Sequence, residues 1–163
     1  MTSPTCRTSH LTLRVSDLAR SRGFYEKALN LHVIGEDPQG RLFLAAAPGD
    51  VEPLLVLQQA DDLNVETPKV EPEPYIGMEH FAFELDSDHL APLQAVYRRL
   101  NEMGAEIHHT VDHRVTDSIY FLDPDRNLIE IYRNAPRERY QDHMDHPYDS
   151  LGDIDDLLAG KAS

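Results

Sequence analysis

Over residues 10–15, His-Leu-Thr-Leu-Arg-Val, polar and apolar side chains alternate with the two-residue period of a strand that has one covered face. Ser16-Asp17 breaks the alternation and residues 18–29 take a helical spacing, with Asp17 placed to accept free backbone N–H groups of the first turn. The chain then repeats itself. Residues 80–85, His-Phe-Ala-Phe-Glu-Leu, alternate in the same phase, followed by Asp86-Ser87-Asp88, a helical stretch to Met103 and a Gly104 suited to a helix C-terminus. After each helix come three short extended runs, near 31–35, 41–46 and 53–58 in the first half and near 105–109, 116–122 and 127–133 in the second. Strand, helix, strand, strand, strand therefore occurs twice. The predicted fold is α+β, with two tandem βαβββ repeats (about 8–60 and about 78–134) forming a curved mixed sheet. Between them, about 66–75, lies a Pro-rich acidic linker that reads as stiff and extended. One domain, 1–134, is expected, followed by an acidic tail, 135–163, packing on or near it, with one short amphipathic helix at 154–158.

Strand phase gives the histidines a direction. Leu11, Leu13 and Val15 share one face, which leaves His10, Thr12 and Arg14 on the other; Phe81, Phe83 and Leu85 are expected to be buried, with His80, Ala82 and Glu84 opposite. In the last strand Glu130 lies opposite Ile129 and Ile131. A carboxylate in the apolar run Leu-Ile-Glu-Ile-Tyr is costly to cover without a cation or a hydrogen-bonding partner. A single strand histidine is more often structural than a ligand. Here the histidine recurs at equivalent repeat positions and is joined by this acid. His10, His80 and Glu130 are thus expected to form one metal site, the two-histidine, one-carboxylate set that leaves positions open on Fe(II).

Composition narrows the partners. The 163 residues contain 15 Lys plus Arg against 29 Asp plus Glu, a formal charge of −14, which repels phosphate backbones and anionic lipid surfaces. Neither nucleic acid nor a membrane is an expected partner. The apolar runs are too short to span a bilayer and the polar N-terminus carries no signal-peptide core, so a cytoplasmic location is expected. The single cysteine, Cys6, excludes an internal disulfide and a multi-thiolate metal site, whereas nine histidines favour imidazole chemistry.

These features resemble the vicinal oxygen chelate superfamily over roughly residues 8–134. The most specific stretch, 112–132, reads Asp-His-Arg-Val-Thr-Asp-Ser-Ile-Tyr-Phe-Leu-Asp-Pro-Asp-Arg-Asn-Leu-Ile-Glu-Ile-Tyr and is similar to the final hairpin of type I extradiol (catechol 2,3-) dioxygenases. The resemblance implies Fe(II), with Mn(II) the other metal to consider, held by His10, His80 and Glu130. It also implies Tyr120 as a hydrogen-bond donor to bound catecholate and His113 as the acid and base, with His109 in reserve. Tyr120 shares its strand face with Ser118 and Leu122, so it can point inward. In length the chain resembles the L-DOPA 2,3-dioxygenases of actinomycete antibiotic pathways. That implies an oxidoreductase opening the ring of L-DOPA or another catechol to a semialdehyde, with both atoms of O2 incorporated. The partners implied are the catechol and O2, with a homo-oligomer allowed. Arg114 and Arg133 are the first candidates for a substrate carboxylate, and Arg137 and Arg139 are further ones.

Two departures from the family pattern stand out. Arg126 occupies a position in the turn 123–127 that usually favours Gly, which requires either another turn type or a strained Arg126. The first repeat also lacks the additional active-site histidine of two-module dioxygenases, showing only Leu-Leu-Val-Leu-Gln-Gln over 54–59. Alignment of that segment with 128–132 puts Val56 opposite Glu130, so the fourth ligand of glyoxalase I is missing. A glyoxalase or fosfomycin-resistance type of metal-dependent enzyme is the first alternative. A non-catalytic small-molecule binding or resistance protein is the second, though it would have no need for the three ligands together. The tail residues His143, His146 and Tyr148 read as surface groups, with closure over the pocket as the other reading.

Overall fold

The computed structural model describes residues 8–61, 77–144 and 149–161. Cys6, the Pro-rich linker, His146 and Tyr148 lie outside the described residues. The chain divides into two compact units, 1–66 and 67–163.

The first unit comprises strand β1 (Leu11–Val15), helix α1 (Leu18–Leu29), and strands β2 (His32–Glu36), β3 (Leu42–Ala45) and β4 (Leu55–Gln59). Asp17 caps α1 as expected, its carboxylate accepting from Arg20 N at 2.9 Å, and Asn30 closes the helix in the left-handed conformation. Ser21, Tyr25 and Ala28 form the buried stripe of α1, and Leu13, Val15, Leu44, Leu55 and Leu57 are likewise buried in the sheet. The strand order is β1-β4-β3-β2, with β1 parallel to β4 and the other pairs antiparallel.

The second unit repeats this plan with strand β5 (Phe81–Glu84), helix α2 (Leu90–Glu102), and strands β6 (Ile107–Asp112), β7 (Thr116–Leu122) and β8 (Leu128–Asn134) in the order β5-β8-β7-β6. Pro92 sits in the first turn of α2, where its missing N–H costs nothing, and Leu93, Val96 and Leu100 are the buried side. Each repeat therefore closes its own four-stranded mixed sheet. Two sequence expectations need correcting. Strand β6 runs to Asp112 rather than ending at His109, and Phe81, Phe83 and Leu85 are half-buried rather than buried because β5 is an edge strand. After β8, α3 (Arg137–Tyr140) and a single 3-10 turn (Gln141–His143) follow, then α4 (Asp155–Leu158), which buries Leu158. His143 is exposed.

The turn between β7 and β8 resolves the question at Arg126. Its φ of 66° is left-handed. Asp123 holds the turn, accepting at Oδ1 from Asp125 N (2.9 Å) and Asn127 N (2.8 Å), while Arg126 N donates to Asp123 O. The β2–β3 connection uses the same chemistry, with Asp37 accepting from Gln39 N and Arg41 N and Gly40 in the left-handed position. The bond from Arg41 N, followed by the hydrogen bond and charge of the Arg41 guanidinium, holds the Asp37 carboxyl below the usual range against the opposing effect of burial.

Candidate active site

Register places the chemistry of the second unit in one row across its sheet. Ala82 pairs with Glu130, Glu130 with Tyr120, and Tyr120 with His109, so that one face of β5, β8, β7 and β6 carries these four in sequence; His80 is two residues before Ala82. A bulge makes His109 part of the row. Register shifts between Ile107 and His109, with His108 as the extra residue.

The side chains converge around Tyr120. His109 stacks on its ring, with centroids 4.2 Å apart and planes at 11°, and His80 meets it edge-on at 5.3 Å. His113 Nε2 lies 3.3 Å from the Tyr120 hydroxyl. His80 Nε2 lies 3.3 Å from Glu130 Oε2. Burial first, then the neighbouring Glu130 carboxylate, pushes the Tyr120 phenol well above its ordinary range, so its oxygen stays protonated as a donor. His109 shifts the other way: burial, then the positive charges that His108 and His113 can carry, lower its pKa, with Glu130 opposing. A neutral, stacked imidazole is favoured.

A divalent cation fits the two donors present. Glu130 is only 11% exposed at its side chain, and no Lys or Arg pairs with it among the described residues. Two cis ligands of one ion, each bonded at about 2.1 Å, sit about 3 Å apart, close to the His80–Glu130 spacing. Among the described residues, no group of three His, Cys, Asp or Glu side chains is already gathered as a cage. His10 belongs to the first unit, is exposed, and immediately precedes β1 as His80 precedes β5. The row of the first unit equivalent to Ala82, Glu130, Tyr120 and His109 is Thr12, Val56, Phe43 and Gly35. Val56 thus takes the register position of Glu130. Even the bulge recurs, between Val33 and Gly35. Of the polar row, the first repeat retains only its histidine.

The two arginines expected to bind substrate are both engaged by carboxylates. Arg133 lies on the opposite face of β8 from Glu130, buried, ion-paired with Asp117 and bonded to the Asp88 carbonyl. Arg114, with φ 67°, directs its guanidinium to Asp149 at 3.3 Å. The structure also reveals a network that strand phase could not show. Asp117, fully buried, holds both Arg133 and Arg139, and Arg139 reaches on to Asp112 at 3.2 Å. The only sequence hint is that Asp112 falls in the connection between two predicted extended runs and Asp117 at the start of the second, without a mark of their partners.

The chain belongs to the Glyoxalase/Bleomycin resistance protein/Dioxygenase superfamily, whose family model matches residues 7–131. Its fold, two βαβββ modules, is the fold of that superfamily. Among curated relatives it is similar to biphenyl-2,3-diol 1,2-dioxygenase 3 of Rhodococcus globerulus (29% identity, 91% of this chain and 76% of that one). It is also similar to the catechol-2,3-dioxygenase of Bacillus subtilis (30% identity, 90% of this chain and 49% of that one). The chain thus spans about half the length of the second relative. Solved structures share the fold: a glyoxylase/bleomycin resistance protein/dioxygenase domain from Frankia sp. EAN1pec has TM-score 0.63 at 24% identity, covering 80% of this chain and 99% of that one. The fosfomycin resistance protein FosX from Listeria monocytogenes, complexed with Mn(II), has TM-score 0.60 at 22% identity, covering 86% and 99%. No described helix is long and apolar enough to cross a membrane.

Proposed function

We propose that this protein is an extradiol dioxygenase that opens the ring of a catechol, L-DOPA being the favoured substrate, with Fe(II) held by His10, His80 and Glu130. The observation that carries the reading is the row His80, Glu130, Tyr120 and His109 with His113 at its end, because it sets a carboxylate and an imidazole beside a tyrosine hydroxyl and two further imidazoles. The names of the two dioxygenase relatives support it.

When bound, the metal supplies open positions for the two catechol oxygens and O2. The remaining work falls to this chain's own groups. Tyr120, kept protonated by burial and Glu130, donates its hydroxyl hydrogen bond to a catecholate oxygen. His113, whose Nε2 already reaches the Tyr120 hydroxyl, takes a proton from the catechol and returns it later, since imidazole serves as base and acid near neutral pH. His109, stacked flat on Tyr120, fixes the phenol ring and stands in reserve for proton transfer. With Arg133 committed to Asp117, Arg114 is the better placed of the two arginines for a substrate carboxylate, and binding it would mean exchanging the exposed Asp149.

The test is a panel of catechols with protein reconstituted anaerobically with Fe(II) or, separately, Mn(II), then exposed to isotopically labelled O2. A yellow ring-opened product carrying both labelled atoms, with the highest kcat/KM for L-DOPA, is expected. Turnover of fosfomycin or of the methylglyoxal-glutathione adduct with every catechol inert would replace this reading by the corresponding alternative.

A further inference from the structure

His113 sits in a three-residue connection whose own bonds are few: its N–H donates to Thr116 O, and Val115 N–H donates to His113 O. Asp112, Arg114, Val115 and Asp117 are instead held by residues beyond the last strand. Arg139 donates from Nε to Arg114 O at 3.0 Å, from one terminal nitrogen to Asp117 at 2.7 Å, and from the other to Asp112 Oδ1 at 3.2 Å. The same Asp112 Oδ1 accepts from Arg114 N at 2.6 Å. Ala135 N–H donates to Val115 O, Asp149 pairs with the Arg114 guanidinium, and the Asp112 backbone exchanges both its bonds with Leu151 and Gly152. Arg114 is also left-handed, a conformation that a residue with a side chain keeps only when its surroundings impose it.

We infer that Arg139 is a positioning residue: from the segment after the last strand it clamps the two residues flanking His113 and so aims the imidazole at the Tyr120 hydroxyl. Its guanidinium spans Asp112, Arg114 and Asp117 with all three nitrogens, a planar fork that lysine cannot reproduce. Arg139, and with it α3, then supports the acid-base group without touching substrate. The inference deepens the ring-cleavage reading, and its test separates the two.

Hydrogen exchange of the substrate-free protein is measured for Arg139→Gln beside the wild type, with Arg98→Gln, an exposed charge removal on α2, as control. About tenfold faster exchange across 112–116, with β8 unchanged, is expected for Arg139→Gln and not for the control. Should Arg139→Gln fail to fold, Arg139→Lys, which keeps the charge and loses the planar fork, is expected to speed exchange at Arg114 and Val115 more modestly. Unchanged exchange in 112–116 in the variant examined overturns the clamp. Activity supplies the second arm: kcat should fall with KM little changed, Arg139→Lys should restore part of it, and adding Arg139→Gln to His113→Asn should cost nothing further. Independent, multiplying losses in the double variant would also overturn it. A chain inert toward all catechols would overturn ring cleavage and leave the clamp to be decided by exchange alone.

Discussion

Tyr120 touches each of the other groups to which the second unit's chemistry is assigned, and the two kinds of contact separate their roles. His113 meets its hydroxyl, whereas His109 meets its ring face. Neither His113 nor Tyr120 is a proposed ligand, so His113→Asn and Tyr120→Phe should keep iron while slowing ring cleavage. The histidine variant should lose about 10²- to 10⁴-fold in single-turnover rate under saturating O2. Loss of the phenol hydroxyl should cost less, since a hydrogen bond to a charged group is worth roughly 1.5–3 kcal/mol. Wild-type rate in His113→Asn together with failure in His109→Asn would move the acid-base role to His109. His109 also carries a shifted titration. Burial and the charges of His108 and His113 depress the His109 pKa, so the unfolded chain binds this proton more readily than the folded one, and the site costs stability as pH falls below about 6.5 but nothing above it. NMR titration of the metal-free protein should find His109 below 6.5; a value above it would contradict the buried, stacked placement.

At the level of elements, the strand and helix order and the inward phase of His80, Glu130 and Tyr120 were legible because two-residue alternation survives in short strands. The bulge at His108 was not, since an extra residue in a polar run leaves no trace in the pattern, and so β6 was expected to stop early. The partner of Arg133 is hidden for a related reason: alternation puts the residue on the covered face with Ile129 and Ile131, but only the folded sheet sets Asp117 across the strand from it. Breaking such a buried pair typically costs about 3–5 kcal/mol. The β7–β8 turn gives a cleaner element-scale prediction. Arg126 is left-handed, which costs a residue with a Cβ about 1 kcal/mol or more, and its ion pair with Glu106 is exposed and worth little. In urea unfolding Arg126→Gly should therefore exceed Arg126→Ala in stability by about 1 kcal/mol. Equal stabilities would mean that the turn relaxes to a right-handed form.

For the whole chain, the repeats share a plan and divide the labour unevenly. The unit 67–163 carries His80, Glu130 and the Tyr120 cluster, while the unit 1–66 keeps His10 and replaces the rest of the row with Thr12, Val56, Phe43 and Gly35. The net charge of −14 suits neutral catechols better than anionic substrates. The central proposal is the ligand set His10, His80 and Glu130, and metal analysis of Fe(II)-reconstituted wild type beside His10→Ala, His80→Ala and Glu130→Ala tests it directly. Stoichiometric iron in the wild type is predicted, with loss from each variant while circular dichroism shows the fold retained. Stoichiometric iron in all three variants would contradict the ligand set, and iron retained by His10→Ala alone would confine the metal to the second repeat.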